Sequence, residues 1–223
     1  MTPTILLDLD GTLVDSVPDL HAALDRMLLG QGLGPLSRAE ATAMIGDGVK
    51  VLVERAFSAR GRVATAADVA AYMDDYEANA AAATIPFVGI PEALAEMAAA
   101  GWRLAVCTNK PERAARSLLA ELGLTAHFAA VGGGDSYPVK KPDPGHVLAT
   151  LAAAGGAPGH AVMVGDHAND MLSGRAAGLP VVFCAWGYGR AAMAGDAPVA
   201  ASPADLLGVV TSVLRGSGAT LTR

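Results

Sequence analysis

Asp8 and Asp10 lie two residues apart at the end of an apolar run, in the stretch ILLDLDGTLVDS. In an extended strand, residues i and i+2 share a face, so both carboxylates can point to one place. Like charges that close repel unless a cation or a shared proton lies between them. The stretch therefore reads as a metal site, a proton-sharing pair, or the plain turn that Asp-Gly makes at a strand end. Three other stretches carry comparable chemistry: Thr108, Asn109 and Lys110 after RLAVC, Lys140 and Lys141 in VKKPDP, and Asp166 and Asp170 in VGDHAND. Carboxylates hold hard cations and move protons, while hydroxyls and lysines stabilise anionic oxygen.

Each of these residues also has an ordinary structural reading. Thr108 can cap a helix opening at Pro111. Lys141, just before Pro142, fits a solvated loop. Asp170, four after Asp166, suits the first turn of a helix, where the dipole favours a carboxylate. His167 is a poor ligand for a hard cation, which prefers oxygen, and His21, His127, His146 and His160 lack partners at metal spacing.

The elements that must position these groups are legible from apolar patterning. TILLDLD, RLAVCTN, FAAVGGG, HAVMVGD and PVVFCAW are continuous apolar runs, which suits parallel strands covered on both faces. Between them lie alanine- and leucine-rich helical stretches at 91–100, 111–122, 144–154 and 168–177. Pro91, Pro111 and Pro144 open three of these, where a missing N–H costs nothing. Gly101, Gly123, Gly155 and Gly178 fall just past their ends, where a left-handed cap is wanted. This alternation predicts an α/β fold, a doubly wound parallel sheet with a Rossmann-like core. Residues 17–84 instead hold helical patterns at 18–29, 39–44, 49–59 and 66–83 with no strand, which predicts an inserted α-helical cap. The boundaries are a core of 1–15 and 86–223 and a cap of 16–85, with IPFVGIP as the returning hinge and a loose tail ending in LTR. All four chemical stretches then fall at C-terminal strand ends, the edge where open α/β sheets bind ligands.

Composition narrows the partners. The 223 residues are 52% hydrophobic and 17% charged, enough for a core domain and a smaller one. A formal charge of -6 without a basic stripe, and only 4% aromatic residues, argue against nucleic acid and anionic membrane. Cys107 and Cys184 sit in apolar segments with no CxxC spacing and read as free buried thiols. MTPTILLDLD is too short and acidic for a signal peptide, and no apolar run reaches membrane-spanning length, so a cytoplasmic location is expected.

The pattern as a whole resembles the haloacid dehalogenase-like hydrolases along nearly the full chain, through DLDGTLVDS, TNK, KKPDP and GDHAND. IGDGVKVLVERAF, GWRLAVCTNKPERAARSLLAELGL and GGGDSYPVKKPDP are similar to the phosphoglycolate phosphatase-like branch. The family more often has serine or threonine at the His167 position, a departure that leaves both aspartates in place.

The resemblance implies a Mg²⁺-dependent phosphatase acting on a small phosphate monoester, with 2-phosphoglycolate first among the candidates. A dianionic ester attacked by a carboxylate needs its repulsion suppressed. The implied ligands of Mg²⁺ are Asp8, the Asp10 main-chain carbonyl and Asp166, with Asp170 supporting. Asp8 is the implied nucleophile and Asp10 the acid and base. Thr108 and Lys141 stabilise the transferring phosphoryl group, aided by backbone N–H groups around Gly11 and Asn109. In the cap, Gly46 and Gly48 let the backbone turn closely, and Lys50 in the following helix is expected to meet the carboxylate of a small acid.

Alternatives stay open at this stage. Pyrophosphate, nucleotide or sugar phosphate can serve as substrate for the same core residues. A sugar-phosphate mutase is a further possibility, although mutases of this layout carry histidine at the position of Leu20, and His21 is one residue off. A receiver-type signalling domain shares the acidic residues, threonine and lysine, and would accept phosphate to switch a partner. A monomer or a homodimer is expected.

Overall fold

The computed structural model describes residues 2–79 and 81–216; the tail expected at the C-terminus lies outside them. The chain opens with β1 (Thr4–Leu7), followed by β2 (Val14–Asp15) and four helices: α1 (Val17–Gly30), α2 (Arg38–Thr42), α3 (Val49–Ser58) and α4 (Ala66–Ala78). It returns through β3 (Ile85–Pro86) and then alternates as α5 (Ile90–Ala99), β4 (Arg103–Cys107), α6 (Glu112–Glu121), β5 (Phe128–Gly132), α7 (Pro144–Ala153), β6 (Ala161–Gly165), α8 (Ala168–Ala176) and β7 (Val181–Cys184). The short β8 (Val199–Ala200) and α9 (Leu206–Gly216) finish it.

The main sheet is six-stranded in the order β5-β4-β1-β6-β7-β8 and parallel throughout. β1 is central, with Leu7 opposite Val106 on one side and Val164 on the other. Its continuous apolar run has the expected cause. Ile5 and Leu7 enter the cluster with Leu94 of α5, Leu118 of α6 and Val210 of α9, while Leu6 faces Val147 and Leu151 of α7 and Met171 of α8. A period of two with both faces buried favours apolar residues at successive positions, as at Ile5, Leu6 and Leu7. Numbered among themselves, the six strands run 3-2-1-4-5-6, the dinucleotide-fold order, and not the 2-1-3-4-5 order of receiver domains. The order reverses between β1 and β6, and that switch point is where such sheets bind ligands.

The four helices between β2 and β3 form their own apolar cluster, with Leu24, Phe57, Tyr72 and Tyr76 at its centre and Ala114 of α6 as the core residue it includes. β2 and β3 pair antiparallel, Asp15 opposite Ile85, so the chain leaves and re-enters the core side by side. Asp19, in the first turn of α1, fastens it by accepting N–H bonds from Ala83 (3.0 Å) and Thr84 (2.8 Å) and the Thr84 hydroxyl (2.6 Å).

Three local expectations are corrected. α4 stops at Ala78 instead of Ala83, because Asn79 caps it, Ala81 turns at φ 64° and the segment after it bonds to Asp19. The first strand ends at Leu7, before both aspartates. The helix α9 and the short β8 were not among the anticipated elements. α9 is preceded by a capping box in which Ser202 and Asp205 satisfy each other, and Leu206, Val210 and Leu214 recur on one buried stripe. The cap glycines behave as read: Gly101, Gly123, Gly155 and Gly178 all have φ between 69° and 85°.

Candidate active site

β1 delivers the first aspartate and then turns. Asp8 N–H still bonds Val164 O (3.0 Å), and its Oδ1 accepts the next N–H, that of Leu9 (2.7 Å). The Leu9 carbonyl then accepts from Leu13 (2.9 Å) and Val14 (3.1 Å), closing a tight loop that lifts Asp10 off the strand line. The two carboxylates therefore do not share one strand face. Each is given its own lysine: Lys141 Nζ lies 3.0 Å from Asp8 Oδ1, and Lys110 Nζ lies 3.2 Å from Asp10 Oδ1.

Lys141 is 2% exposed and bridges Asp8 to Asp170 Oδ1 (2.5 Å), so the solvated-loop reading is wrong for it. Burial works against its charge, but Asp170 and Asp8 outweigh burial and hold the ammonium above its ordinary value. His146 Nδ1 accepts the Lys141 N–H (3.2 Å), and burial followed by the Lys141 charge lowers His146 to about 4, keeping it neutral. Asp170 also has the first-turn role read for it, since its other oxygen accepts the N–H of His167 (3.0 Å) as the third residue of the α8 capping box.

Asp166 directly follows β6, and Thr12 Oγ1 donates to it (2.9 Å), as do the N–H groups of Tyr188 (2.8 Å) and Gly189 (3.2 Å). Burial, then the nearby Asp8, raise its carboxyl to about 6. Ligand oxygens of Asp8, Asp166 and Asp170 lie within 4.8 Å of one another. The donor set is all oxygen, which fits a hard divalent cation and no soft one. Glycine is also required beside it: a Cβ at Gly11 would sit 2.4 Å from Asp166 Oδ2, and Gly11 is held at φ 87°. The Asp10 carboxylate is not in this cluster, being turned to Lys110.

Thr108 is buried and accepts the Lys110 N–H on its hydroxyl (3.2 Å); α6 is capped by Pro111, so Thr108 is not its cap. Asn109 donates to Lys141 O (2.9 Å) and across to Gly46 O (3.0 Å) of the cap. The segment of Gly46 and Asp47 is gripped further. Asn169 donates to Asp47 Oδ1 (2.7 Å), Lys140 Nζ donates to Asp47 O (2.6 Å), and Arg55 pairs with Asp47 (2.6 Å). The close turn needs its glycines, because a Cβ at Gly46 would stand 2.7 Å from the His167 ring.

Between this grip and the sheet edge lies a cavity of about 40 Å³. Asp8, Asp10, Thr108, Asn109 and Lys110 line it from the core, and Leu20, Gly46, Val49, Leu52 and Tyr76 from the cap. Lys50 does not line it: its side chain is 75% exposed and pairs with Glu54 at 3.5 Å. The expected carboxylate contact of Lys50 is thereby corrected, because one step along a helix rotates a side chain by about 100° away from Val49. His21 is likewise elsewhere, its Nε2 bonded to Leu36 O at 2.7 Å. Sequence reasoning did not assign roles to Lys110, Tyr76, Asp47, Lys140 or Asn169. Lys110 had a signal, directly following Thr108 and Asn109 at a strand end; Tyr76 had none beyond its helix. Both cysteines are buried, and burial pushes Cys107 up to about 12, so it is no nucleophile.

Among the described residues no helix is long and apolar enough to cross a membrane. The family model for haloacid dehalogenase-like hydrolases matches residues 2–178. Phosphoglycolate phosphatase of Mesorhizobium japonicum is 40% identical over 190 residues, covering 83% of this chain and 84% of its own. Phosphoglycolate phosphatase of Caulobacter vibrioides is 43% identical over 189 residues, covering 83% and 80%. Among solved structures, a predicted phosphoglycolate phosphatase from Haemophilus somnus superposes with a TM-score of 0.85 at 29% identity, covering 93% of this chain and 97% of that one. CbbY of Rhodobacter sphaeroides in complex with phosphate gives 0.79 at 25% identity, covering 94% and 100%.

Proposed function

This chain belongs to the haloacid dehalogenase-like hydrolases and is a phosphoric monoester hydrolase, and from that premise we propose that it cleaves 2-phosphoglycolate. The observation that carries the chemistry is that Asp8 and Asp10 face one small cavity while each is matched to a separate buried lysine. In the proposed cycle an Asp8 oxygen attacks phosphorus and the bond to the leaving alkoxide breaks. Asp10 gives its proton to that alkoxide, releasing glycolate. A water then attacks the aspartyl-phosphate as Asp10 takes its proton, returning Asp8 and inorganic phosphate. Lys141 steadies Asp8 against Asp170 and presents a cation to the phosphoryl oxygens, and the Thr108 hydroxyl adds a donor. Mg²⁺ would be held by Asp8, Asp166 and the Asp10 main-chain carbonyl, with Asp170 supporting, and would supply the charge that offsets repulsion between two anions.

On a measure by which one water needs roughly 10–15 Å³, the cavity admits a few water-sized groups, which favours a short acid over a nucleoside or hexose. Leu20 stands on the lining where a mutase would need its histidine, which favours hydrolysis. The relatives named above are phosphoglycolate phosphatases. The test is turnover against a panel of phosphate esters with and without Mg²⁺, together with Asp8→Asn. Phosphoglycolate should lead the panel, activity should vanish under chelation, and Asp8→Asn should form no phosphoenzyme. A panel led by nucleotides or sugar phosphates overturns the substrate, and substantial turnover by Asp8→Asn overturns the nucleophile.

A further inference from the structure

With Lys50 outside the cavity, the carboxylate of the proposed substrate needs another partner. We propose that Lys110 is that partner: its ammonium, held between Asp10 on the core and Tyr76 on the cap, binds the carboxylate of the leaving acid. This rests on the substrate reading above and names the residue that sets it.

Four observations carry it. First, Lys110 is the one cation among the described residues that line the cavity. Lys140 is spent on Asp47 O, Lys141 sits between Asp8 and Asp170, and Lys50 faces solvent. Second, an ammonium has three donors. One is shared between Asp10 Oδ1 (3.2 Å) and Oδ2 (3.3 Å) and one goes to Tyr76 Oη (2.7 Å), which leaves one for a ligand. Third, the position suits the chemistry. Asp10 must reach the ester oxygen, and in a phosphorylated 2-hydroxy acid the carboxylate is carried on the carbon next to that oxygen. A cation touching Asp10 is therefore within a few bonds of it.

Fourth, the surroundings make the charge count. Lys110 is 6% exposed, its Nζ stands 4.5 Å over the Tyr76 ring, and the neighbouring lining residues Leu20, Leu52, Met73 and Ala114 offer an anion nothing. In so dry a place a charge-assisted bond is stronger than at the surface. Glu77, the remaining carboxylate on the lining, is paired with Arg113. Tyr76 belongs to α4, so the same ammonium is completed only when the cap lies over the core as it does here.

The experiment compares kcat/KM for 2-phosphoglycolate with that for ethyl phosphate, which has the same chain length and no carboxylate. The wild-type ratio should strongly favour the acid. Lys110→Met and Lys110→Gln should lower the ratio about 10- to 100-fold, whatever each does to the chemistry both substrates share. Lys110→Arg should restore most of it, and Lys50→Ala should leave it unchanged. Should neither neutral variant fold, Tyr76→Phe, which removes only a hydroxyl holding the ammonium, should lower the ratio several-fold. An unchanged ratio in whichever of these variants folds, with both esters slowed alike, would mean that Lys110 acts only through Asp10, and the inference falls. A wild type with no preference for the acid overturns the substrate reading itself, and the Lys110 assignment with it.

Discussion

Asp166→Asn should make the metal-free protein more stable while removing its activity. The Asp166 carboxyl is 2% exposed and lies in the acidic cluster with Asp8 and Asp170. Burial, then Asp8, raise it from 3.8 to about 6. A raised carboxyl means that the folded state binds a proton more tightly than the unfolded chain. Its contribution to stability is complete below about 4 and is lost as pH rises through about 6. Roughly two units at about 1.4 kcal/mol each amount to about 3 kcal/mol at neutral pH, against a usual total of about 5–15. Asparagine copies the protonated form. Its oxygen can accept the N–H groups of Tyr188 and Gly189, and its amide can donate to the Thr12 hydroxyl. Thermal melts in chelator at pH 4 and pH 7.5 check this. The variant should match wild type at pH 4 and melt roughly 6–12 °C higher at pH 7.5. A variant less stable than wild type at pH 7.5, or a gain independent of pH, would refute the reasoning.

Lys141→Met should act in the opposite sense, since it leaves Asp8 and Asp170 without their cation. A loss of about 3–5 kcal/mol is expected in urea denaturation, partly recovered by adding Asp170→Asn, and a wild-type midpoint would contradict the buried network. Gly46→Ala should push the cap loop off the core, because its Cβ meets the His167 ring at 2.7 Å and φ is 121°. At about 1–3 kcal/mol of strain, kcat/KM should fall about ten- to a hundredfold with the melting of the core little changed; unaltered kinetics would show that this loop need not close.

Much of the architecture was legible because it depends on short-range rules. A strand buried on both faces must be continuously apolar, as Ile5, Leu6 and Leu7 are, and a helix that ends in a left-handed cap wants glycine, as at Gly101 and Gly178. With strands and helices so marked, the winding of the sheet carries Asp8, Thr108, Lys141 and Asp166 to one edge, and their convergence could be anticipated from order alone. α9 is marked by local signals of the same kind, a capping box and an apolar stripe.

What the chain order could not reveal is which charge meets which. Lys110 finds Asp10 across 100 residues of sequence, Lys141 finds Asp170 across 29, and Tyr76 reaches Lys110 from a separate helical unit. Ion pairs and hydrogen bonds are decided at about 3 Å, a distance finer than any pattern of spacing resolves. Lys50 shows the consequence. It has the right charge in the first turn of the right helix, but the rotation of α3 turns it to solvent beside Glu54, while a lysine just after β4 lines the cavity. Residue types and their order narrowed the two aspartates to a cation, a shared proton or a turn; only the packing of the core decided which lysine meets which, and only the packing of cap on core brought Tyr76 to Lys110.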